Sequence, residues 1–228
     1  MKIGGFVKQS LSDFPGQIAA VIFTQGCNLR CPYCHNPELL SLSVCGQIPW
    51  EDVWDFLKLR KNQLDGVAIT GGEPLLQPDI DEALMNIKSL GYSIKLDTNG
   101  TLPNRLKDLL QNHLVDYIAM DLKSSSDLFH KTAGKAIPFD NILQSIDIIK
   151  TSGIAHEFRS TLIEGIHDLD EVNSMAQTIA GADVYFLQTL SGFETLNPEY
   201  KQKKGFPKSI MTQFQFIAEN HVTQCRLR

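Results

Sequence analysis

Six short apolar runs recur along the chain: IAAVIF at 18–23, GVAIT at 66–70, YSIKLD at 92–97, VDYIAMD at 115–121, HEFRSTLI at 156–163 and DVYFLQTL at 183–190. Each is short and rich in β-branched or aromatic residues, so each predicts a strand. Between them the apolar period lengthens to that of a helix. After Pro78, the residues Ile80, Leu84, Ile87 and Leu90 share one face, and Gly91 follows as a stop. After Pro138 come Ile142, Ile146 and Ile149, then Gly153. Asp168 and Glu171 form a capping-box pattern ahead of Val172, Ala176 and Ile179, with Gly181 at the end. A further helix near 208–220 and a terminal strand VTQCRLR at 222–228 are expected after a loose polar stretch, SGFETLNPEYKQKKGFP at 191–207.

Strand–helix alternation of this kind predicts an α/β fold with a parallel sheet and right-handed crossovers. Six units are too few for an eight-fold barrel, so an open partial barrel and a doubly wound sheet both fit. Neither repeats nor a long linker appear. The expectation is one domain over 1–228, with a core at about 13–190 and a C-terminal extension at 191–228.

Composition narrows the classes. The chain has 228 residues, 43% hydrophobic and 21% charged, with a net charge of −5. No broad basic field favours nucleic acid, and the run KQKK at 201–204 reads as a solvated loop. No apolar stretch approaches the ~18 residues of a membrane span. The start lacks the apolar segment of a signal peptide. A cytoplasmic protein is expected, where five cysteines point to a metal or redox site rather than structural disulfides.

The chemistry-bearing residues gather behind the apolar runs. Cys27, Cys31 and Cys34 follow the first run, and TGGEP (70–74) the second. DTNG (97–100) follows the third, MDLK (120–123) ends the fourth, Arg159 lies in the fifth, and Gln188 near the end of the sixth. In parallel α/β folds the carboxyl ends of the strands share a face, and sites are built there. Three thiolates are one short of a structural zinc site. His35 adjoins Cys34 too closely to complete a tetrahedron easily, and Cys45 and Cys225 remain candidate fourth ligands. The alternative is an iron–sulfur cluster, held by clustered thiolates. Each remaining residue also has an ordinary structural reading: a strand-to-helix turn for Gly71 and Gly72, a cap or turn for Asp97 and Asp121, a surface lysine for Lys123, an ion pair for Arg159.

The Cys27–Cys31–Cys34 spacing, with Tyr33 before the third cysteine and GGEP after the next strand, resembles the radical S-adenosylmethionine (SAM) superfamily. The resemblance implies the partial (β/α)6 TIM-like barrel of that superfamily. It also implies a 4Fe-4S cluster on Cys27, Cys31 and Cys34, whose remaining iron binds the amino and carboxylate groups of S-adenosylmethionine. Tyr33 would then lie against the adenine, and Gly71, Gly72 and Glu73 would hold the methionine amino end. YCHNP, DTNG, MDLK and the Asp-x-Pro-Gly loop SDFPG (12–16) resemble the glycyl-radical-enzyme activases. That narrower resemblance gives Cys34 and His35 a place along the adenine. It places Asp97, Asp121, Lys123 and Arg159 against the cofactor, with Asp97 and Asp121 as candidate ligands of a monovalent cation. Asp13 would face the incoming glycine peptide.

The implied reaction is one-electron cleavage of S-adenosylmethionine to a 5′-deoxyadenosyl radical, which takes a hydrogen from a glycine of a partner enzyme. The expected partner is the anaerobic ribonucleotide reductase, with a pyruvate formate-lyase-like enzyme second. The expected electron donor is a flavodoxin or ferredoxin. No extra cysteines mark a second cluster, and Cys45 and Cys225 read as incidental. Formate-lyase activases offer a histidine where this chain has Gln188, which leaves the cofactor contact there open. Two competing readings are kept: a 7-carboxy-7-deazaguanine synthase-like enzyme, which usually has an aspartate at the position of His35, and a zinc-binding interaction protein without catalysis.

Overall fold

A computed structural model describes residues 1–228 except Cys45, residues 191–194 and Lys204. The expectations attached to Cys45, and to those positions of the polar stretch, therefore lie outside the described residues. Eight strands are ordered in the sheet as in the chain. They are β1 (Ile3–Ser10), β2 (Ala19–Thr24), β3 (Gly66–Gly71), β4 (Ser93–Thr98), β5 (Tyr117–Asp121), β6 (Ala155–Leu162), β7 (Val184–Thr189) and β8 (Gln224–Leu227). All six apolar runs are strands, and the terminal run is β8. β1 is an addition that periodicity did not predict.

The chain packs as two compact units. The first comprises Met1–Asn28, Glu38–Thr98 and Leu102–Ile118. It carries β1 to β4 with α1 (Trp50–Leu59), α2 (Ile80–Ser89) and α3 (Pro103–Gln111). β1 runs antiparallel to β2, whereas β2–β3 and β3–β4 are parallel. The parallel strands are apolar on both faces: Ala19 to Ile22, Val67 to Ile69, and Ile94 with Leu96 are all buried. Sequence alternation is lost in such strands because both of their faces are buried. α2 buries Ile80, Leu84 and Ile87 of the expected stripe together with Ala83, but the helix begins at Ile80 rather than at the proline, and Leu90 is its half-buried C-cap rather than an inward helical residue.

The second unit comprises Leu29–Pro37, Asn99–Thr101 and Ala119–Arg228. β6, β7 and β8 pair in parallel, and β5 enters this unit at Ala119. Around them lie α4 (Ser126–Ala133), α5 (Phe139–Thr151), α6 (Leu169–Thr178) and α7 (Lys208–Ala218). α5 follows Pro138 and buries Ile142, Ile146 and Ile149 as expected. The capping box ahead of α6 is only half made. Asp168 accepts from the Glu171 amide at 2.9 Å, but the Glu171 carboxylate does not turn back. It accepts instead from the Ser125 amide (2.6 Å) and hydroxyl (2.7 Å). A buried pair of donors outcompetes a solvated cap for the same carboxylate. Lys201 and Gln202 close a 3-10 helix, Pro198–Gln202, rather than a plain loop. Among the described residues no helix is long and apolar enough to cross a membrane.

Candidate functional site

In the first unit, the chain leaving β2 is pinned before it reaches the cysteines. The Gly26 amide donates to the Leu39 carbonyl at 2.7 Å, and the Cys27 amide to that of Leu40 at 3.3 Å. The Gln25 side-chain amide donates to the Glu38 and Ser41 carbonyls at 3.0 and 3.1 Å. Cys27 is 7% exposed. The stretch after β3 is laid directly on this one. The Gly72 amide donates to Thr24 (2.9 Å) and the Glu73 amide to Gly26 (2.8 Å). Gly71 has φ +111, and a Cβ on Gly72 would stand 2.1 Å from the Gly26 carbonyl oxygen. Only glycine fits two backbones this close.

Glu73 is fully buried. Its Oε1 accepts from the Leu75 amide (3.1 Å), capping a 3-10 helix, and from the Thr98 hydroxyl (2.9 Å). At the end of β4, Asp97 forms an ion pair with Lys95, which is 2% exposed. Sequence reading passed over Lys95. Its signal was the i, i+2 spacing, which puts both residues on one face of a strand. A lysine so buried requires a partner. Asp13 is exposed and held by Ser10, whose hydroxyl accepts from the Asp13 amide at 3.3 Å.

In the second unit, the rest of the cysteine loop lies near the end of β5, where Asp121 is joined by Arg159 from the middle of β6. Cys31 is 7% exposed, Tyr33 4%, and Cys34 is half-buried. The Cys34 amide donates to the Cys31 carbonyl at 3.0 Å, turning the chain between the two thiols. Asp121 is the centre of charge. Its Oδ1 accepts from Arg159 Nε at 2.9 Å and its Oδ2 from Lys123 Nζ at 3.0 Å. Burial alone would raise the Asp121 pKa, but Arg159 and then Lys123 overcome it and hold the carboxyl well below the usual range. Burial likewise opposes the Lys123 charge, and Asp121, Cys31 and Tyr33 together push its pKa up. Tyr33 is raised by burial and by Cys31, against the pull of Lys123. His35 stands at the exposed rim of this group. Its residual burial and the Lys123 cation lower its pKa, with Asp121 opposing.

The segment 121–125 is held from behind by side chains that the sequence did not single out. The Leu122 carbonyl accepts from the Ser160 hydroxyl (2.5 Å), which in turn accepts from Tyr185 (2.7 Å). His167 Nδ1 accepts from the Ile163 amide at 3.0 Å. Its Nε2 therefore carries the proton and donates to the Lys123 carbonyl at 3.1 Å. These partners are serine, tyrosine and histidine on core-facing positions, with no spacing motif to announce them. Gln188 lies on β7 opposite Thr161. Cys225 is 2% exposed, and burial, reinforced by Glu219, pushes its thiol up to about 12. Such a thiol is inert, in keeping with an incidental role. Among the described residues no three His, Cys, Asp or Glu side chains close on a single metal ion.

The residues suit the groups that the sequence implied. Thiols such as Cys27 in the first unit and Cys31 and Cys34 in the second are of the chemical type that iron–sulfur clusters take as ligands. The Tyr33 hydroxyl is buried with no hydrogen-bond partner among the described residues, as expected where a ligand completes the surroundings.

Comparison with known proteins agrees. Residues 21–179 match the family model described as the radical SAM superfamily. A Methanocaldococcus jannaschii protein with the provisional name glycyl-radical enzyme activating enzyme is 31% identical, over 99% of this chain and 95% of its own. The pyruvate formate-lyase-activating enzyme of Clostridium pasteurianum is 28% identical, over 88% of each chain. Among solved structures, Streptococcus suis SuiB bound to S-adenosylmethionine superposes with a TM-score of 0.70 at 16% identity, over 91% of this chain and 49% of that one. That likeness concerns the fold, the partial barrel of radical SAM enzymes. With a family model over most of its length and a full-length relative of this identity, the chain belongs to the radical SAM superfamily and, within it, to the glycyl-radical-enzyme activating enzymes.

Proposed function

We propose that this enzyme activates an anaerobic ribonucleotide reductase by generating a radical on one of its glycines, in the cytoplasm, with a flavodoxin or ferredoxin as electron donor. Gln188, in place of the histidine of formate-lyase activases, supports this partner. The observation that carries the cofactor reading is the Asp121–Lys123–Arg159 group next to Cys31 and Tyr33. It presents a compact cation with a fixed counter-charge beside a thiol and a buried phenol that lacks a partner.

In this reading Cys27, Cys31 and Cys34 hold a 4Fe-4S cluster. When bound, cluster and S-adenosylmethionine together supply one-electron cleavage of the sulfonium and, through it, hydrogen abstraction from glycine. The chain's own task is binding, orientation and exclusion of water. Lys123, kept charged by Asp121, receives the methionine carboxylate as a point cation. Glu73, with Gly71 and Gly72, receives the amino group. Tyr33 and the backbone through Cys34 and His35 flank the adenine, while Arg159 fixes Asp121. Asp97 and Gln188 are further cofactor contacts, and Asp13 meets the glycine peptide. A monovalent cation on Asp97 and Asp121 would have to share these carboxylates with Lys95 in one case and with Lys123 and Arg159 in the other.

A second reading, activation of a formate-lyase-like enzyme, is favoured by the C. pasteurianum relative. The deciding experiment incubates reduced, reconstituted enzyme and S-adenosylmethionine anaerobically with each candidate partner and watches for a glycyl radical by electron paramagnetic resonance. A signal on the reductase supports the proposal. A signal only on the formate-lyase-like enzyme, or on neither, rejects it.

A further inference from the structure

The cysteine loop is clamped at two points within the second unit, and one clamp comes from the C-terminal extension. At its start, the Arg30 amide donates to the Ala133 carbonyl at 2.8 Å. The following Gly134, with φ +63, lets the two backbones close to a distance where a Cβ would stand 2.1 Å from the Arg30 carbonyl oxygen. At its middle, the Asn197 amide donates to the Pro32 carbonyl at 2.8 Å, one residue before Tyr33. Asn197 also opens the 3-10 helix Pro198–Gln202 by accepting from the Glu199 amide at 3.0 Å. That short helix presents the Tyr200 ring to the Tyr33 ring, with centroids 6.3 Å apart and planes tilted by 41°. Behind Tyr200, Lys203 Nζ sits 5.1 Å from the ring centroid and donates to the Glu164 carbonyl at 2.7 Å. The extension is thus anchored on both sides of Tyr200.

We propose that Tyr200 is a positioning residue. Its ring seats Tyr33 and thereby fixes the middle of the cysteine loop in the orientation that receives S-adenosylmethionine. This rests on the reading above, in which Tyr33 flanks the adenine. A tilted aromatic pair restricts the Tyr33 ring without occupying its hydroxyl, and that hydroxyl is buried with no hydrogen-bond partner among the described residues. The segment 195–203 carries none of the cysteine or strand-end motifs, so its part in the site comes from packing alone.

The test uses full-length reconstituted protein with Tyr200→Ala and Tyr200→Phe. Three quantities are read: iron content, the dissociation constant for S-adenosylmethionine, and the hydrogen-exchange rate of the Cys34 amide in the protein without cofactors. Tyr200→Ala is expected to keep wild-type iron content, to weaken S-adenosylmethionine binding about three- to tenfold, the range an aromatic pair supplies, and to speed Cys34 exchange. Tyr200→Phe, which keeps the ring, is expected to match wild type in all three. Unchanged affinity and exchange in Tyr200→Ala would overturn the proposal, as would equal losses in Tyr200→Phe. If Tyr200→Ala fails to fold, Tyr200→Leu replaces it under the same criteria. Failure of wild type itself to bind S-adenosylmethionine would instead reject the cofactor reading, while the exchange comparison still decides the role of Tyr200.

Discussion

Asp121 carries two cations on one carboxylate, and this sets the pH range in which the charge cluster is intact. Its folded pKa is depressed, so its contribution to stability is present above the ordinary carboxylate value of ~3.9 and is lost as pH falls toward the lower folded value. Lys123 is raised, so its contribution is complete below ~10.4 and is lost only at still higher pH. Between about pH 5 and 9 neither group titrates. Urea unfolding of the protein without cofactors, at pH 6 and pH 3, checks this. Asp121→Asn is expected to be less stable than wild type at pH 6, with the gap shrinking at pH 3. A gap that does not change would contradict the assignment. At the same scale, Cys31→Ala is expected to lose both iron uptake and cleavage of S-adenosylmethionine, read by metal analysis and by methionine release. The cysteines and the DLK run stand out in the sequence by their spacing, and the structure pairs Asp121 with Lys123. Lys95, one strand earlier, obeys the same i, i+2 rule in KLD and was missed because Asp97 was read toward a turn or the cofactor, not along its own strand.

Among elements, β1 and the Gly71–Gly72 turn show where sequence patterns stop short. The segment IGGFVKQS contains two glycines and no apolar alternation, so it does not look like a strand. It is one because it pairs antiparallel with β2, and at Gly4 the ends of the Leu39 and Gln25 side chains fill the place of a Cβ, at 2.4 and 2.6 Å. The parallel strands, by contrast, were legible from their continuous apolar runs, and α2 and α5 from their stripes. The Gly71–Gly72 turn was legible as a turn but not as a backbone cradle. Gly72→Ala is expected to cost about 2 kcal/mol or more and to lower the melting temperature by about 4–8 °C, measured by thermal denaturation without cofactors. Glu171 illustrates a cap read correctly in position and incorrectly in partner. Glu171→Ala strands the Ser125 amide and hydroxyl and is expected to cost about 1–3 kcal/mol in urea unfolding. A solvated cap residue at that position would cost a few tenths.

For the whole molecule, the alternation of strands and helices placed the chain in the α/β class, and the cysteine spacing with GGEP placed it in its superfamily. What spacing could not supply is the layer behind the site: Ser160, Tyr185, His167 and Glu171 hold the 121–125 segment from core positions. Their roles depend on which backbone groups they meet, and only the folded chain determines that. The central claim is that Cys27, Cys31 and Cys34 hold a cluster open to S-adenosylmethionine rather than a closed metal site. Anaerobic reconstitution tests it most directly, with iron and zinc counted and the reduced protein's electron paramagnetic resonance spectrum recorded with and without S-adenosylmethionine. The expected result is about four irons per chain and a cluster signal that shifts when S-adenosylmethionine is added. Stoichiometric zinc without iron uptake, or a cluster signal indifferent to S-adenosylmethionine, would contradict it.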